Sequence, residues 1–241
     1  MIYVVGLGPG GKEEMTERAF QALERCQIII GYDSYIDLIK EHFPLKKILS
    51  TPMKTEVDRC RQAFALAQEG YDVALVSSGD AGVYGMAGVL LEVCGEADIK
   101  VEIVPGVTAA CSAAAVLGAP LMHDFAVISL SDLLTPWPVI ERRLRAAGEA
   151  DFVVVLYNPS SRNRADYLQR AGNILLSYRP ASTPAGWVRQ VGRKGEEYRV
   201  LTLGEMIQEK VDMFTTVIIG NSSSRIIKGR IVTPRGYREL P

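Results

Sequence analysis

The residues that most often announce chemistry are scarce in this chain. Two histidines, His42 and His123, and four cysteines are spread over 241 residues. Neither histidine stands at a metal-ligand spacing, and Cys26, Cys60, Cys94 and Cys111 form no Cys-x-x-Cys pair. No metal ligand is therefore assigned, and reduced thiols in a cytoplasmic setting are the expectation. No glycine loop closes on the Lys-Ser/Thr pair of a P-loop, and no nucleophile elbow accompanies a Ser–His–Asp order. The sequence thus offers no obvious carrier for covalent catalysis. An excess of charge is lacking too. With 27 basic and 28 acidic residues the net charge is −1, which gives no drive toward nucleic acid or an anionic membrane. Residues 1–5 read as a strand without a basic leader, so no signal peptide is expected. One uncharged run, 104–122, is long enough to raise a transmembrane question. Pro105, Gly106, Gly118 and Pro120 interrupt it, and its middle is alanine, serine and cysteine, so a helix buried against a sheet is expected instead.

What the chain does have is apolar mass and alternation. Hydrophobic residues make up 48% of it and charged residues 23%, enough for a real core. Through the first half, short valine- and isoleucine-rich runs alternate with amphipathic ones. Strands are expected at 2–6, 26–31, 46–49, 72–76 and 99–104, and helices at 16–25, 34–42, 55–69, 86–93 and 109–117. Such alternation implies a mostly parallel sheet covered on both faces. Gly118-Ala119-Pro120 reads as a break, giving domains 1–119 and 120–241. The second half opens with strands at 125–130 and 152–156 and helices at 138–147 and 166–178. It continues with strands at 185–191, 198–203 and 216–219, whose alternation suits antiparallel pairing. Residues 225–232 read as a last edge strand. The fold class is α/β in two domains, with a mostly parallel first sheet and a mixed second one.

Glycine and small polar residues collect at four strand ends: 6–11, 77–85, 105–109 and 157–162. The stretch Ser77-Ser78-Gly79-Asp80-Ala81-Gly82-Val83-Tyr84-Gly85 places backbone N–H groups and one carboxylate between a strand and a helix. Open α/β sheets bind ligands at that edge. A glycine-rich turn also serves tight geometry alone. The first loop, Gly6-Leu7-Gly8-Pro9-Gly10-Gly11, literally matches the dinucleotide pattern G-x-G-x-x-G. Pro9 interrupts that turn, however, and Lys12-Glu13-Glu14 delay the helix that would carry a pyrophosphate. Backbone amides, carbonyls, hydroxyls and an amide side chain suit an adenosine-like or amino-acid-like ligand better than a triphosphate.

Three of these stretches together carry a resemblance. Gly6-Leu7-Gly8-Pro9-Gly10, Ser78-Gly79-Asp80 with Val83, and Val104-Pro105-Gly106-Val107-Thr108-Ala109 resemble the N-terminal signatures of the tetrapyrrole (precorrin/corrin) methylases. Those are S-adenosylmethionine enzymes with two α/β domains of a non-Rossmann, class III kind. The second half resembles the precorrin-3B C17-methyltransferases of that family. The similar stretches are His123-Asp124-Phe125, residues 128–137, Tyr157-Asn158-Pro159-Ser160-Ser161-Arg162 and Val188-Arg189-Gln190-Val191-Gly192-Arg193. The resemblance implies a cofactor cleft between the domains, with S-adenosyl-L-homocysteine as the spent cofactor. It implies methylation of precorrin-3B, or its cobalt form, at C17 with ring contraction. The product would be precorrin-4 or cobalt-precorrin-4, on the route to cobalamin. A homodimer is implied as well. The alternatives are a same-fold methylase acting on another carbon or tetrapyrrole, and a non-catalytic cofactor-binding scaffold.

Carried over residue by residue, the family's cofactor contacts fall on Pro9, Ser78, Gly79, Asp80, Val83, Thr108, Ala109, Asn158, Val191 and Thr216. Ser78 stands where many relatives have glycine, and Asn158 where methionine is common, which leaves side-chain roles there open. Asp80 is expected to face the positive end of the cofactor, to cap the following helix, or both. Methyl transfer from a sulfonium needs proximity, alignment and exclusion of water more than covalent help. Ring contraction needs proton movement, for which His123 and Asp132 are the candidates. Ser129 and Ser131 are expected to hydrogen-bond an acyl oxygen of the substrate. Arg162 and Arg189 are expected to bind its carboxylates through their guanidinium forks.

Overall fold

The computed structural model describes residues 1–161 and 164–237, so Arg162 lies outside the described residues. The chain forms two compact units that divide between Ala109 and Ala110.

The first unit is built on one sheet of five parallel strands: β1 (Ile2–Gly6), β2 (Ile28–Tyr32), β3 (Lys47–Thr51), β4 (Val73–Ser77) and β5 (Val101–Val104). Their order is β3-β2-β4-β1-β5. The inner strands read as unbroken apolar runs because both faces are covered. Tyr3, Val5, Ile29, Ala74 and Val76 pack with α1 (Glu17–Arg25) and α2 (Asp33–Ile36). Their neighbours Ile2, Val4, Ile28, Ile30, Val73 and Leu75 pack with α3 (Glu56–Gln68) and α4 (Ala87–Cys94). Thr16 starts α1, its hydroxyl accepting from the Ala19 N–H at 3.1 Å. The helix expected over 34–42 is not continuous. It is a four-residue α2 followed by a separate 3-10 turn at Lys40–His42. Ile36, Ile39 and Phe43 still reach the core, which is what the apolar spacing reported.

Strand order decides where a ligand can sit. β1 and β4 are neighbours. The chain leaves β1 toward β2 on one side and leaves β4 toward β5 on the other, with α1 and α4 on opposite faces. That arrangement is a topological switch point, where open parallel sheets form a crevice at their carboxyl edge. A dinucleotide-binding sheet would seat β1 beside β2. Here β4 stands between them.

Most of α5 (Ala109–Leu117) groups with the second unit, so the division falls earlier than the break expected at residues 118–120. The reason is local. The Ala110 N–H donates to the Tyr157 hydroxyl at 2.7 Å. Leu117 lies against Gly186, where an added Cβ would come within 2.8 Å of the leucine Cδ2. Gly118-Ala119 is itself a short strand, β6 (Gly118–Ala119).

The second sheet comprises β7 (Phe125–Ser129), β8 (Val153–Tyr157), β9 (Pro184–Arg189), β10 (Glu197–Thr202) and β11 (Thr215–Ile219), in the order β10-β9-β11-β8-β7. Only β7 and β8 run parallel; the other pairs are antiparallel. The sheet is mixed, as expected. One face is covered by α6 (Trp137–Glu149), α7 (Tyr167–Leu176) and α8 (Leu203–Met206), through Leu144, Leu168 and Leu203 on Val154, Leu156 and Val217. The single edge strand expected at 225–232 is instead a hairpin, β12 (Arg225–Ile227) and β13 (Arg230–Val232), with Lys228 and Gly229 at positive φ in its turn. β13 joins β6 in a separate three-stranded sheet. Among the described residues no helix is long and apolar enough to cross a membrane.

Register fixes the two edges of the second sheet. Ser129 stands beside Tyr157, Leu156 opposite Val217, and Arg189 opposite Thr215. The carboxyl ends of β7, β8 and β9 therefore share one edge with the amino end of β11.

Candidate functional site

In the first unit the glycine loops lock to one another through their backbones. The Gly8 N–H donates to the Gly79 carbonyl at 3.0 Å, and the Gly79 N–H to the Gly8 carbonyl at 2.7 Å. This exchange ties the loop after β1 to the loop after β4 at the switch point. Gly6 and Gly106 approach too closely for side chains. A Cβ on Gly106 would stand 2.2 Å from the Gly79 carbonyl oxygen and 2.6 Å from that of Gly6. Gly79 is a different case. Its φ of +67° favours glycine, but a Cβ there would have ordinary room, with Ala109 N at 3.6 Å and Thr108 Cα at 3.7 Å. A larger side chain at Gly79 would fill the space between the second and third loops.

Asp80 is the brace of this cradle. Its Oδ1 accepts from the Gly82 N–H at 2.8 Å and the Val83 N–H at 3.2 Å, and its Oδ2 accepts from the Gly106 N–H at 3.0 Å. The expected helix cap gives way to a correction: Met86 is the N-cap of α4, its N–H donating to the Ser77 hydroxyl at 3.2 Å. Asp80 also braces the loops, whatever ligand group it meets. Both carboxylate oxygens are turned to backbone N–H groups of its own loop and of the loop after β5. Charge-assisted bonds of this kind hold loop shape strongly.

The chemistry of the cradle selects among ligands. Residues 77–85 and 104–109 contain no lysine or arginine. Lys12, next to the first loop, lies over the Phe20 ring at 4.4 Å. The helix after the first loop starts only at Glu17, beyond a 3-10 turn at Lys12–Glu14, so no helix N-terminus points from the glycines at a pyrophosphate. Backbone amides and carbonyls with the Ser78 and Thr108 hydroxyls, and one carboxylate bound inward, fit a nucleoside with an amino-acid tail and do not fit a polyphosphate.

The second unit builds with side chains. Asn158 follows β8 in the left-handed region at φ +52°, which asparagine tolerates better than most residues. Its Nδ2 donates to the Ser129 hydroxyl at 2.9 Å, and the Ser131 N–H donates to the same oxygen at 3.2 Å. Val191 and Thr216 are buried at the same edge, at the end of β9 and the start of β11. Ser129, Ser131, Asp132, Asn158, Val191 and Thr216 thus share one edge of this sheet.

His123 does not join them. It precedes β7, whereas Asp132 follows it, so the two stand at opposite edges with a five-residue strand between them. Such a strand spans roughly 17 Å. His123 shares a polar recess with Asp124, Asp151 and Ser222, its Nδ1 accepting from the Asp124 N–H at 2.9 Å. The two candidates for proton movement, His123 and Asp132, are therefore not neighbours, and the length of β7 lies between them. Asp132 has nearer partners. The Tyr167 hydroxyl donates to its Oδ2 at 2.6 Å, and Arg164 Nε lies 3.6 Å from its Oδ1. The hydrogen bond to Asp132, with some burial, pushes the Tyr167 phenol above its ordinary value, so Tyr167 stays a donor.

Arg189 stands at the same edge but is already engaged. Its Nε donates to Asp212 at 2.7 Å, and Glu197 lies 3.8 Å from its Nη1. That hydrogen bond and charge raise the Arg189 pKa. Burial raises the Asp212 carboxyl, but the Arg189, Thr215 and Phe214 donors outweigh it and hold it below the usual carboxylate range. Arg189 thus serves the fold before any substrate. Gly6, Gly106 and Tyr157 lie in the signature stretches, but the sequence does not show what they touch, and Tyr167 goes unmarked there. Each acts on a residue distant in sequence, and no local pattern names such a partner.

Likeness to known proteins agrees with this geometry. Residues 1–207 match the family model of Tetrapyrrole (Corrin/Porphyrin) Methylases. The chain is 51% identical over 239 residues to the probable cobalt-factor III C(17)-methyltransferase of Salmonella typhimurium, covering 98% of this chain and 99% of that one. It is 42% identical over 246 residues to the precorrin-3B C(17)-methyltransferase of a Sinorhizobium species, covering 98% and 96%. Among solved structures, the methyltransferase CobJ aligns with a TM-score of 0.91 at 36% identity, over 97% of this chain and 99% of that one. A uroporphyrin-III C-methyltransferase from Thermus thermophilus, complexed with S-adenosyl homocysteine, shares the fold at a TM-score of 0.71 and 21% identity, covering 91% of this chain and 96% of that one. The glycine cradle, the sheet order and a likeness that runs the length of the chain converge: the chain belongs to the tetrapyrrole methylases.

Proposed function

We propose that this chain transfers a methyl group from S-adenosylmethionine to C17 of a precorrin-3B-type macrocycle in cobalamin biosynthesis, with contraction of the ring. The observation that carries this reading is the full-length identity of 51% to a C17-methyltransferase, in a chain whose first unit keeps the side-chain-free cradle intact. Relatives named for cobalt-factor III and for precorrin-3B both match, so both the cobalt and the metal-free acceptor belong in the test.

S-adenosylmethionine supplies, when bound, a methyl group already activated on a sulfonium. The protein's own work is to hold, align and dry the reactants. Gly6 and Gly106 keep the loops in backbone contact, and Asp80 fixes their shape. Pro9, Ser78, Gly79, Asp80, Val83, Thr108 and Ala109 would hold the donor, and Asn158, Val191 and Thr216 are the further donor positions that the family likeness implies. Ser129 and Ser131 would bind an acyl oxygen of the acceptor. Asp132, held by Tyr167, would take or return a proton during contraction, and its place at the edge with Ser129 and Asn158 favours it over His123 for that step. A homodimer is part of the same reading.

The deciding experiment supplies 13C-methyl-labelled S-adenosylmethionine with each acceptor form and locates the new methyl by NMR. A methyl at C17 is expected. A methyl at any other carbon would sink the C17 assignment, and calorimetry without S-adenosylmethionine binding would sink the donor. Light scattering of the purified chain tests the dimer.

A further inference from the structure

Leu133 and Leu134 are adjacent, 66% and 92% exposed, on the loop that follows β7. That loop is pinned at both ends to one residue. Asp132 accepts the Tyr167 hydroxyl at 2.6 Å, and the Trp137 ring lies 4.6 Å from the Tyr167 ring, centroid to centroid. Arg164 adds a hydrogen bond to the Leu130 carbonyl at 3.3 Å. Residues 133–136 therefore arch between two anchors and hold the leucine pair out in water. Burying a leucine side chain is favourable. A pinned, exposed apolar pair is a contact surface waiting for its partner rather than a mobile loop tip.

A cation stands beside it. The Arg170 guanidinium lies 3.9 Å from the Trp137 ring centroid and 4.9 Å from that of Tyr167. Glu141, the acid whose titration Arg170 influences, is taken by Arg145 at 2.7 Å. Arg170 has no ion-pair partner among the described residues. An arginine stacked on aromatic rings is pre-organised to meet a carboxylate.

We propose that Leu133, Leu134 and Arg170 form the ledge that receives the acceptor macrocycle, the leucines against an apolar face of the ring and the guanidinium on a carboxylate of its rim. The inference rests on the methyl-transfer reading and adds to it the residues that select the acceptor. Position favours a macrocycle over a protein partner. The ledge rises from the edge of the sheet that carries the Ser129–Asn158 bond. Two leucines and a guanidinium also fall far short of the roughly 800 Å² per partner of a stable protein interface. They do suit one face of a flat ring with acidic arms.

The test is the double variant Leu133→Ser/Leu134→Ser, with Arg170→Gln as a second probe, in the full-length protein. Donor affinity is read by calorimetry with S-adenosylmethionine, and steady-state kinetics are measured against the acceptor. The double variant should raise the acceptor KM about tenfold or more with kcat little changed, which is the mark of lost acceptor binding. Donor affinity should stay within about twofold and the unfolding midpoint within about 2 °C, because the leucines are already in solvent. Arg170→Gln should raise the same KM and flatten its dependence on salt, as loss of a charge contact does. An unchanged KM in the double variant, while the wild type methylates normally, overturns the ledge and leaves the methyltransferase reading standing. Donor affinity and acceptor KM worsening together also overturn it, by showing a general disturbance. A wild type that methylates no tetrapyrrole overturns the function reading and, with it, the ledge.

Discussion

The two units solve the same problem with different materials. In the first, the cradle is backbone: reciprocal bonds between Gly8 and Gly79, a contact between Gly6 and Gly106 that no side chain fits, and one carboxylate bracing N–H groups. In the second, the edge is side chains: Asn158 on Ser129, Tyr167 on Asp132, Arg189 on Asp212. A backbone cradle has a fixed shape that does not depend on which side chains surround it, which suits a ligand that never changes. A side-chain edge can be rewritten one residue at a time, which suits an acceptor that differs between members of a family. The division of labour follows from the sheets. A parallel sheet with a switch point supplies a crevice by topology alone. A mixed sheet gathers its polar residues only through register.

The comparison breaks most visibly at glycine. Gly106→Ala should destabilise the first unit by about 3 kcal/mol, since the new Cβ meets backbone oxygens that cannot rotate away. Thermal unfolding should fall by roughly 10 °C. Gly79→Ala should cost only ~1–2 kcal/mol, the strain of its positive φ, because its Cβ has room. Equal losses at the two positions would mean that the backbone interlock is not what holds the loops.

At the side-chain edge, Asp132→Asn should keep the fold and lower kcat at least ~100-fold, as removal of a general base does, with donor affinity unchanged. Near-normal turnover would leave Asp132 as a loop anchor alone. A smaller effect is expected on the acid limb of stability. Asp212 holds fewer protons folded than unfolded, because its pKa is lower in the folded state. Its contribution is therefore complete above the ordinary carboxylate value of ~4 and disappears as pH falls through the depressed one. Asp212→Asn should flatten the fall of the unfolding midpoint in that window and leave the neutral region's slope alone. The smallest effect belongs to His123→Ala, where turnover should remain within about twofold of wild type. A loss of a hundredfold there would place a catalytic group at the opposite edge of the sheet and undo the geometry argued above.

Much of the architecture was legible beforehand. The three inner strands of the first sheet announced themselves as unbroken apolar runs, because two covered faces leave no alternation to show. The antiparallel strands β9, β10 and β11 announced themselves by alternation. Local signals failed where burial could be reached in more than one way. Ile36, Ile39 and Phe43 fit a helical spacing yet sit on a broken helix and a 3-10 turn. The dipeptide Gly118-Ala119 looked like a linker and became a strand because β13, more than a hundred residues on, was there to pair with it.

The sequence by itself determined the chain's class and its donor chemistry. Glycine loops without cations, set at strand ends, are a local property, and a backbone cradle needs little more than the right residues in the right order. Only the tertiary structure decided which carboxylate braces two loops and which one takes the Tyr167 hydroxyl. That Asp80 ties two loops together shows only once the loop after β5 stands beside it. His123 and Asp132, nine positions apart in the chain, were separated by the length of β7. A strand carries its two ends to opposite edges of a sheet, so closeness in sequence says nothing about closeness in the site. Tyr167 reached Asp132 from another element altogether, and that contact exists only once the second sheet has set its register.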